Sequence, residues 1–295
     1  MTKHTALGKS RIMMVAAMTI FGTIALFVRN IAASSAEIAL YRAVLATLML
    51  GAYFLVTGQR IHIQQLRKEL PLLLISGMAM GINWILLFEA YRYTTVSVAT
   101  LSYYFAPVIV TLACPVLFKE KIGPKQWICF AASTIGIVLI TGIGDLSSSD
   151  THFIGILFGF GAAVFYASVV LLNKFIKGVA GIQRTFLQFV AAVMILLPYV
   201  LFTGGIRLNM LDGTGWVNLL VVGIIHTGIT YCLYFSSLKE LPGQEAAILS
   251  YIDPLAAVAV SVFLLGEPIT VTQLIGGALI LGFTLWNEIK PKKEK

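Results

Sequence analysis

In "ILSYIDP" (248–254) an aspartate stands directly before a proline, deep inside a long apolar run. A carboxylate removed from water needs a cation, a hydrogen-bond donor or a solvated cavity. Asp253 is therefore a candidate to hold a cationic group or to take up and release a proton. Pro254 lacks a backbone donor and frees a carbonyl near Leu249 or Ser250, which exposes polar backbone beside the acid. His226, in another apolar run, has a ring that titrates near neutral pH, and pairing with Asp253 would join the two into one centre for an ammonium group or a proton. Asn83 carries an amide that demands partners. Trp84 beside it, with Tyr103, Tyr104, Tyr231 and Tyr251, offers ring faces and hydroxyls suited to an aromatic, polar cavity. Arg42 and Glu89 are expected to cancel each other's desolvation as an ion pair, or Arg42 meets some other carboxylate. Glu37 and Arg92 read as solvated or snorkelling side chains.

These residues are set in a chain of 295 residues that is 58% hydrophobic and only 12% charged, with a mean hydropathy of +0.90. Soluble domains carry about 25% charge. Ten apolar spans follow, at approximately 12–28, 35–57, 70–92, 95–118, 125–142, 153–173, 183–203, 214–238, 242–265 and 269–287. Connectors are mostly short. Strand alternation is absent, and lipid offers no water to unpaired backbone groups, so the spans are expected to be helices. Asp253 lies 11 residues into its span, about 16 Å deep at 1.5 Å per residue, near the bilayer midplane. His226 and Asn83 are at comparable depth.

The net charge of +8 does not form a nucleic-acid patch, because the basic residues sit in connectors. All but four of the 21 lysines and arginines fall in compartments that share one side; Arg29, Arg92 and Arg207 lie opposite, and Arg42 is inside the second span. The excess of positive charge places both termini in the cytoplasm. Cys114, Cys129 and Cys232 all lie in apolar runs without ligand spacing, so neither a disulfide framework nor a metal is expected. Trp127, Trp216 and Trp286 fall near span ends, as an interfacial belt requires.

A shift of 147 residues superposes "YYFAP" (103–107) on "SYIDP" (250–254), and also sets Glu120 on Glu267 and Gln126 on Gln273. The chain thus reads as two halves, 1–147 and 148–295, with five spans each. An odd number of spans reverses the polarity of the second half, which gives an inverted-topology repeat with a site expected at the interface near the midplane. Pro107 and Pro254 coincide under the shift, whereas Asp253 falls on Ala106 and His226 on Ala79. The prolines belong to the shared scaffold and the ionisable groups to one half only. "TVTQ" (270–273) has capping-box spacing and marks a structured turn that includes Glu267. Gly155 and Gly159 allow close helix approach.

The stretches "ALYRAVLATLML", "GINWILLFEAYRYTTVSVATLSYYFAPVIV" and "HTGITYCLYFSSLKELPGQEAAILSYIDPLAAVAVSVFLLGEPITVTQLIGGALILG" resemble the EamA-type branch of the drug/metabolite transporter superfamily. The likeness covers nearly the whole chain. It implies ten helices in two five-helix repeats, and export or exchange of small metabolites, often amino acids, through a cavity lined by helices 1, 3, 4, 6, 8 and 9. One departure is that the glycines after Gln126 and Gln273, Gly136 and Gly282, are out of register by one residue.

An intramembrane aspartyl protease is the rival class, since "GIGD" (142–145) could join Asp145 to Asp253. The two acidic elements stand in the reverse of that family's order, and Asp145 borders a polar loop. A passive channel is the third class. The scarcity of deep basic residues argues against phosphorylated anions, and a first span without a carboxylate argues against the mechanism of the small four-helix relatives that extrude quaternary cations. The expectation is an all-α membrane transporter, no enzyme and without cofactor, that moves amino acids or similar polar metabolites by alternating access. Membrane lipid, protons and a second copy of the chain are its candidate partners; nucleic acid is not.

Overall fold

The computed structural model describes residues 3–58, 63–119, 123–141, 150–179, 181–238, 241 and 243–288. Among them the chain is helical and contains no strand. Ten apolar helices follow in order: α1 (Leu7–Val28), α2 (Ser35–Thr57), α3 (Arg67–Tyr93), α4 (Val96–Cys114), α5 (Pro124–Ile140), α6 (Thr151–Phe175), α7 (Gly181–Thr203), α8 (Gly213–Leu238), α9 (Ile252–Leu264) and α10 (Val271–Asn287). Seven are long and apolar enough to cross a membrane; α5, α9 and α10 are shorter, and the short helix Gly243–Ser250 leads into α9. Their outward faces carry large apolar side chains such as Leu55, Phe202 and Phe263, which are 86%, 90% and 83% exposed. Surfaces of that kind are at rest against hydrocarbon, not water. The chain is an all-α, multi-pass membrane protein of about ten helices.

Helix ends must satisfy their orphan backbone groups, and several do so with side chains. Thr270 and Gln273 form the capping box expected before α10, with Gln273 N donating to Thr270 Oγ1 at 3.2 Å and Thr270 N to Gln273 Oε1 at 3.0 Å. Ser34 and Glu37 form a second box at the start of α2. Glu37 is therefore not a solvated interfacial acid. It is buried, and also accepts from Tyr41 Oη at 3.2 Å and Arg207 N at 3.0 Å.

Four helices are irregular where they pass the middle of the bundle. α4 breaks at Tyr104 and Phe105, ahead of Pro107, and the helix leading into α9 breaks at Tyr251, ahead of Pro254. The missing proline donors account for both. α1 is interrupted at Thr23, and α8 widens to π-helical geometry over Val221–Ile229. The hydroxyls of Thr227 within that segment and of Thr230 just after it donate to the carbonyls of Val222 (2.8 Å) and Ile225 (2.7 Å), five residues back. Side chains thus satisfy carbonyls that the widened turn leaves loosely held.

The principal packed pairs are α3 with α6 and α1 with α8; α4 with α6 and α1 with α9; α3 with α7 and α2 with α8; and α2 with α7, α4 with α9 and α5 with α10. Small residues make these crossings possible. Gly136 and Gly276 meet at the α5–α10 contact, where a Cβ on either would lie 2.6–2.7 Å from the other's carbonyl oxygen. Gly155 and Gly159 bring α6 against Thr94 and Ala99, as their spacing suggested. At Gly22, α1 crosses the first turn of α9 so closely that a Cβ would stand 2.5 Å from the Asp253 carbonyl oxygen.

Candidate functional site

The irregular points of α1, α4 and α9 enclose a cavity of about 120 Å³ together with α2, α3, α6 and α8. Asp253 and Ala257 line it from α9, Tyr103 and Tyr104 from α4, Asn83, Trp84 and Tyr91 from α3, and Phe21 and Gly22 from α1. Arg42 from α2, Tyr166 from α6 and Tyr231 from α8 complete the wall. The resemblance implied all of these helices except α2. Arg42 is the side chain by which α2 enters.

Asp253 is held by Tyr104, whose hydroxyl donates to Oδ2 at 2.7 Å. That length is characteristic of a hydroxyl donating to a carboxylate. The tyrosine ring also stands 5.7 Å from Tyr103 and 6.5 Å from Tyr251. Tyr251 itself lines a side cavity of about 190 Å³ shared with Tyr104, Tyr166, Pro107, Ser250 and Asp253, rather than the central one. Asn83 finds its partner in the α6 backbone: its amide nitrogen donates to the Ala162 carbonyl at 2.6 Å, which ties α3 to α6 at the cavity wall. Tyr231 packs edge-on against Phe21 and Phe189, both at 5.2 Å between ring centres.

Two expected pairings do not form. Glu89 is joined to Arg92 one turn on, at 3.2 Å, on a side of α3 away from the cavity. Arg42 meets no carboxylate among the described residues. Its Nε donates to Thr227 Oγ1 at 3.0 Å, and its guanidinium lies 4.2 Å from the centre of the Trp84 ring and 5.3 Å from that of Phe88. Residues three apart are neighbours on one helix surface, which favours the Glu89–Arg92 pair over a partner on another helix. His226 likewise does not reach Asp253. Its Nε2 lies 3.0 Å from Thr23 Oγ1 and its Nδ1 3.3 Å from the Val221 carbonyl oxygen, and its ring packs 4.9 Å from Phe27. It braces the kink of α1 just behind Gly22, one layer outside the cavity.

Larger spaces adjoin both ends. Toward Asn173, Arg184 and Gln188 lies a cavity of about 340 Å³ that shares Phe21, Tyr104, Tyr166, Tyr231 and Asp253 with the central one. At the opposite end a vestibule of about 790 Å³ shares Phe88 and Tyr91 with it, and gathers Arg29, Arg92 and Arg207. The lining side chains shared at each end thus separate the central cavity from its neighbours.

Ion pairs tie α1 to the α9 region at both ends of the bundle. Arg11 pairs with Glu245 at one, and Arg29 with Glu267 at the other. Arg29 also donates to the carbonyls of Tyr91 and Thr94, each at 2.7 Å, so its charge sits at the C-terminus of α3. Glu267 accepts from Val96 N at 2.8 Å at the N-terminus of α4, and from Ser261 Oγ at 2.5 Å. Its expected place in a structured turn is what the structure has. Asp145 and Glu120 lie outside the described residues.

Tyr166 and Tyr91 are site residues that the sequence reading passed over. Tyr166 is the only tyrosine of the sixth span and Tyr91 lies two turns beyond Trp84, so a search for every hydroxyl-bearing ring on the implied lining helices finds both. Among the described residues no group of three His, Cys, Asp or Glu side chains is arranged to hold a metal.

The profile of the EamA-like transporter family matches residues 9–142 and again residues 153–287. "Uncharacterized transporter YxxF" of Bacillus subtilis is 33% identical over 270 residues, covering 91% of this chain and 86% of that protein. An "Uncharacterized transporter" of Archaeoglobus fulgidus is 30% identical over 273 residues, with 91% and 93% covered. "Protein PecM" of Dickeya dadantii is more distant, at 24% identity over 73% of this chain and 74% of its own. A solved crystal structure shares the fold, with a TM-score of 0.63 at 18% identity over 93% of this chain and 95% of that one. A helical membrane bundle around a polar central cavity, matched along nearly its full length by one family's profile, belongs to the EamA-like transporter family.

Proposed function

We propose that the chain exports or exchanges small polar metabolites, amino acids above all, across the cytoplasmic membrane by alternating access, with both termini in the cytoplasm. The observation that carries this reading is the central cavity itself: a half-buried carboxylate and a ring of tyrosines, flanked by a larger space toward each end. A substrate ammonium group that binds Asp253 replaces the water lost on entry with a charge-assisted contact. Alternate opening of the two ends then exposes it to one compartment at a time.

The two halves, 1–147 and 148–295, are the moving repeats in this account. Adding five to each helix number turns the α3–α6 contact into α8–α1, α4–α6 into α9–α1, and α3–α7 into α8–α2. The remaining pairs map onto themselves. Such exchange supports an inverted repeat. Coupling to protons, or exchange along a gradient, is assigned to Asp253, with His226 positioning α1 behind it.

Reconstitution into liposomes with a panel of amino acids, with and without an imposed pH gradient, tests the reading. Saturable movement of one or more amino acids that Asp253→Asn abolishes is the expected result. Failure of the whole panel while an unrelated solute class is carried would sink it.

A further inference from the structure

Arg42 is a buried cation that has no counterion among the described residues. It is 4% exposed, and no carboxylate among the described residues pairs with it, the ion pairs there being Arg11–Glu245, Arg29–Glu267 and Arg92–Glu89. Its Nε is taken by Thr227, while its terminal nitrogens have no hydrogen-bond partner among the described residues. The guanidinium lies over the Trp84 ring, and both side chains line the central cavity. A ring face offsets part of the cost of burying a cation, yet it leaves the donors of the planar fork unused. A guanidinium fixed in orientation with free parallel N–H groups is suited to a carboxylate that binds through both oxygens.

Asp253 lines the same cavity and is not paired with Arg42. Among the described residues, one wall therefore offers an unmatched cation and another a carboxylate held only by a tyrosine hydroxyl. A free cation as ligand would leave Arg42 uncompensated, and a free anion would leave Asp253 so. A zwitterion matches both. The cavity of about 120 Å³ has room for roughly four waters at ~30 Å³ each, enough to admit an amino-acid head group. The adjoining space of about 340 Å³, reached past Phe21, Tyr104 and Tyr231, has room for a side chain.

We propose that Arg42 is the docking point for the substrate carboxylate, so that a transported amino acid lies with its carboxylate on Arg42 over Trp84 and its ammonium on Asp253. This rests on the amino-acid reading above and adds the orientation of the substrate and the residue that demands its acid group. Thr227 and Trp84 are positioning residues for the guanidinium. The π-helical turn of α8 aims the Thr227 hydroxyl, whose proton goes to the Val222 carbonyl while its oxygen receives Arg42.

The test uses matched probes: an amino acid, the amine that lacks its carboxylate, and the acid that lacks its amine. Binding is read by tryptophan emission and transport by uptake into liposomes, for the wild-type chain, Arg42→Lys and Arg42→Gln. The wild type should favour the amino acid over the amine by roughly tenfold to a hundredfold, the range of one hydrogen-bonded charge contact. Arg42→Gln should lose that preference while still binding the amine, and Arg42→Lys should keep part of it. Equal binding of amine and amino acid by the wild type, or an unchanged preference in Arg42→Gln, overturns the assignment even if amino acids are carried. If no amino acid is carried, the emission titration with the amino acid still decides: binding lost in Arg42→Gln supports a carboxylate site, and no saturable binding overturns it. Should Arg42→Gln elute as an aggregate, the reduced preference of Arg42→Lys supplies the same decision.

Discussion

At Gly22 the structure leaves no space for a side chain. A Cβ there would lie 2.5 Å from the Asp253 carbonyl oxygen, 2.6 Å from the Ala256 Cβ and 2.9 Å from the Ala257 nitrogen, where ordinary contact begins at 3.4 Å. Two of these atoms are backbone, which cannot rotate away. Gly22→Ala therefore drives α1 and α9 apart by about 0.9 Å, and inserting a carbon into a filled contact costs ~1–3 kcal/mol. The same shift widens the cavity between Phe21 and Asp253, and a misplacement of about 1 Å at a binding site is able to reduce turnover by about a hundredfold. Gly282→Ala is the control, because nothing lies within 4 Å of its Cβ position although it too sits in an apolar helix. Uptake into liposomes and thermal unfolding in detergent are measured side by side. Gly22→Ala should lower both and Gly282→Ala neither. Wild-type transport by a stably inserted Gly22→Ala protein would refute the close crossing on which the cavity depends.

Three further substitutions address the polar framework. Tyr104→Phe removes the one hydrogen-bond donor of Asp253 among the described residues, costing the empty protein about 1.5–3 kcal/mol; a carried amino acid should then raise the unfolding temperature by more than it does in the wild type, and an equal rise contradicts the assignment. Arg29→Ala strips a cation from the α3 carbonyls and from Glu267 at once, and should lower stability by about 1–3 kcal/mol. Arg29→Lys should recover only part, because a point charge does not reproduce the fork; full recovery would mean that charge alone matters there. His226→Gln loses an imidazole that contacts Thr23 and not the cavity, so transport should keep its wild-type pH profile, whereas a displaced profile would return His226 to the coupling centre.

The pattern of apolar runs was enough to locate ten helices, because lipid restricts the backbone to that one local structure. Helix breaks at "YYFAP" and "SYIDP" were equally legible, since a proline acts through its own chain. Asp253, Asn83, Trp84, Tyr103, Tyr104 and Tyr231 were found by depth and residue type, and all line the central cavity. Partnerships were the part that sequence could not supply. Which face of α8 His226 occupies depends on the π-helical turn, and nothing in "VVGIIHTGI" announces it. The ion pair assigned to Arg42 failed because Glu89 had a nearer partner in Arg92 on its own helix. Glu37 was misplaced although "SSAE" has the same capping spacing as "TVTQ", a signal present but applied at one site only.

Trp84 reports on whether substrate occupies this cavity. Trp127, Trp216 and Trp286 are 54%, 40% and 42% exposed at the bundle surface, whereas Trp84 is 5% exposed beneath Arg42. Replacing the three surface tryptophans by phenylalanine leaves one emitter at the site. Titration with an amino acid that the protein carries should change its emission saturably, with a midpoint that follows the transport KM and is lost in Asp253→Asn. Emission unchanged by a carried substrate at saturating concentration would contradict the account.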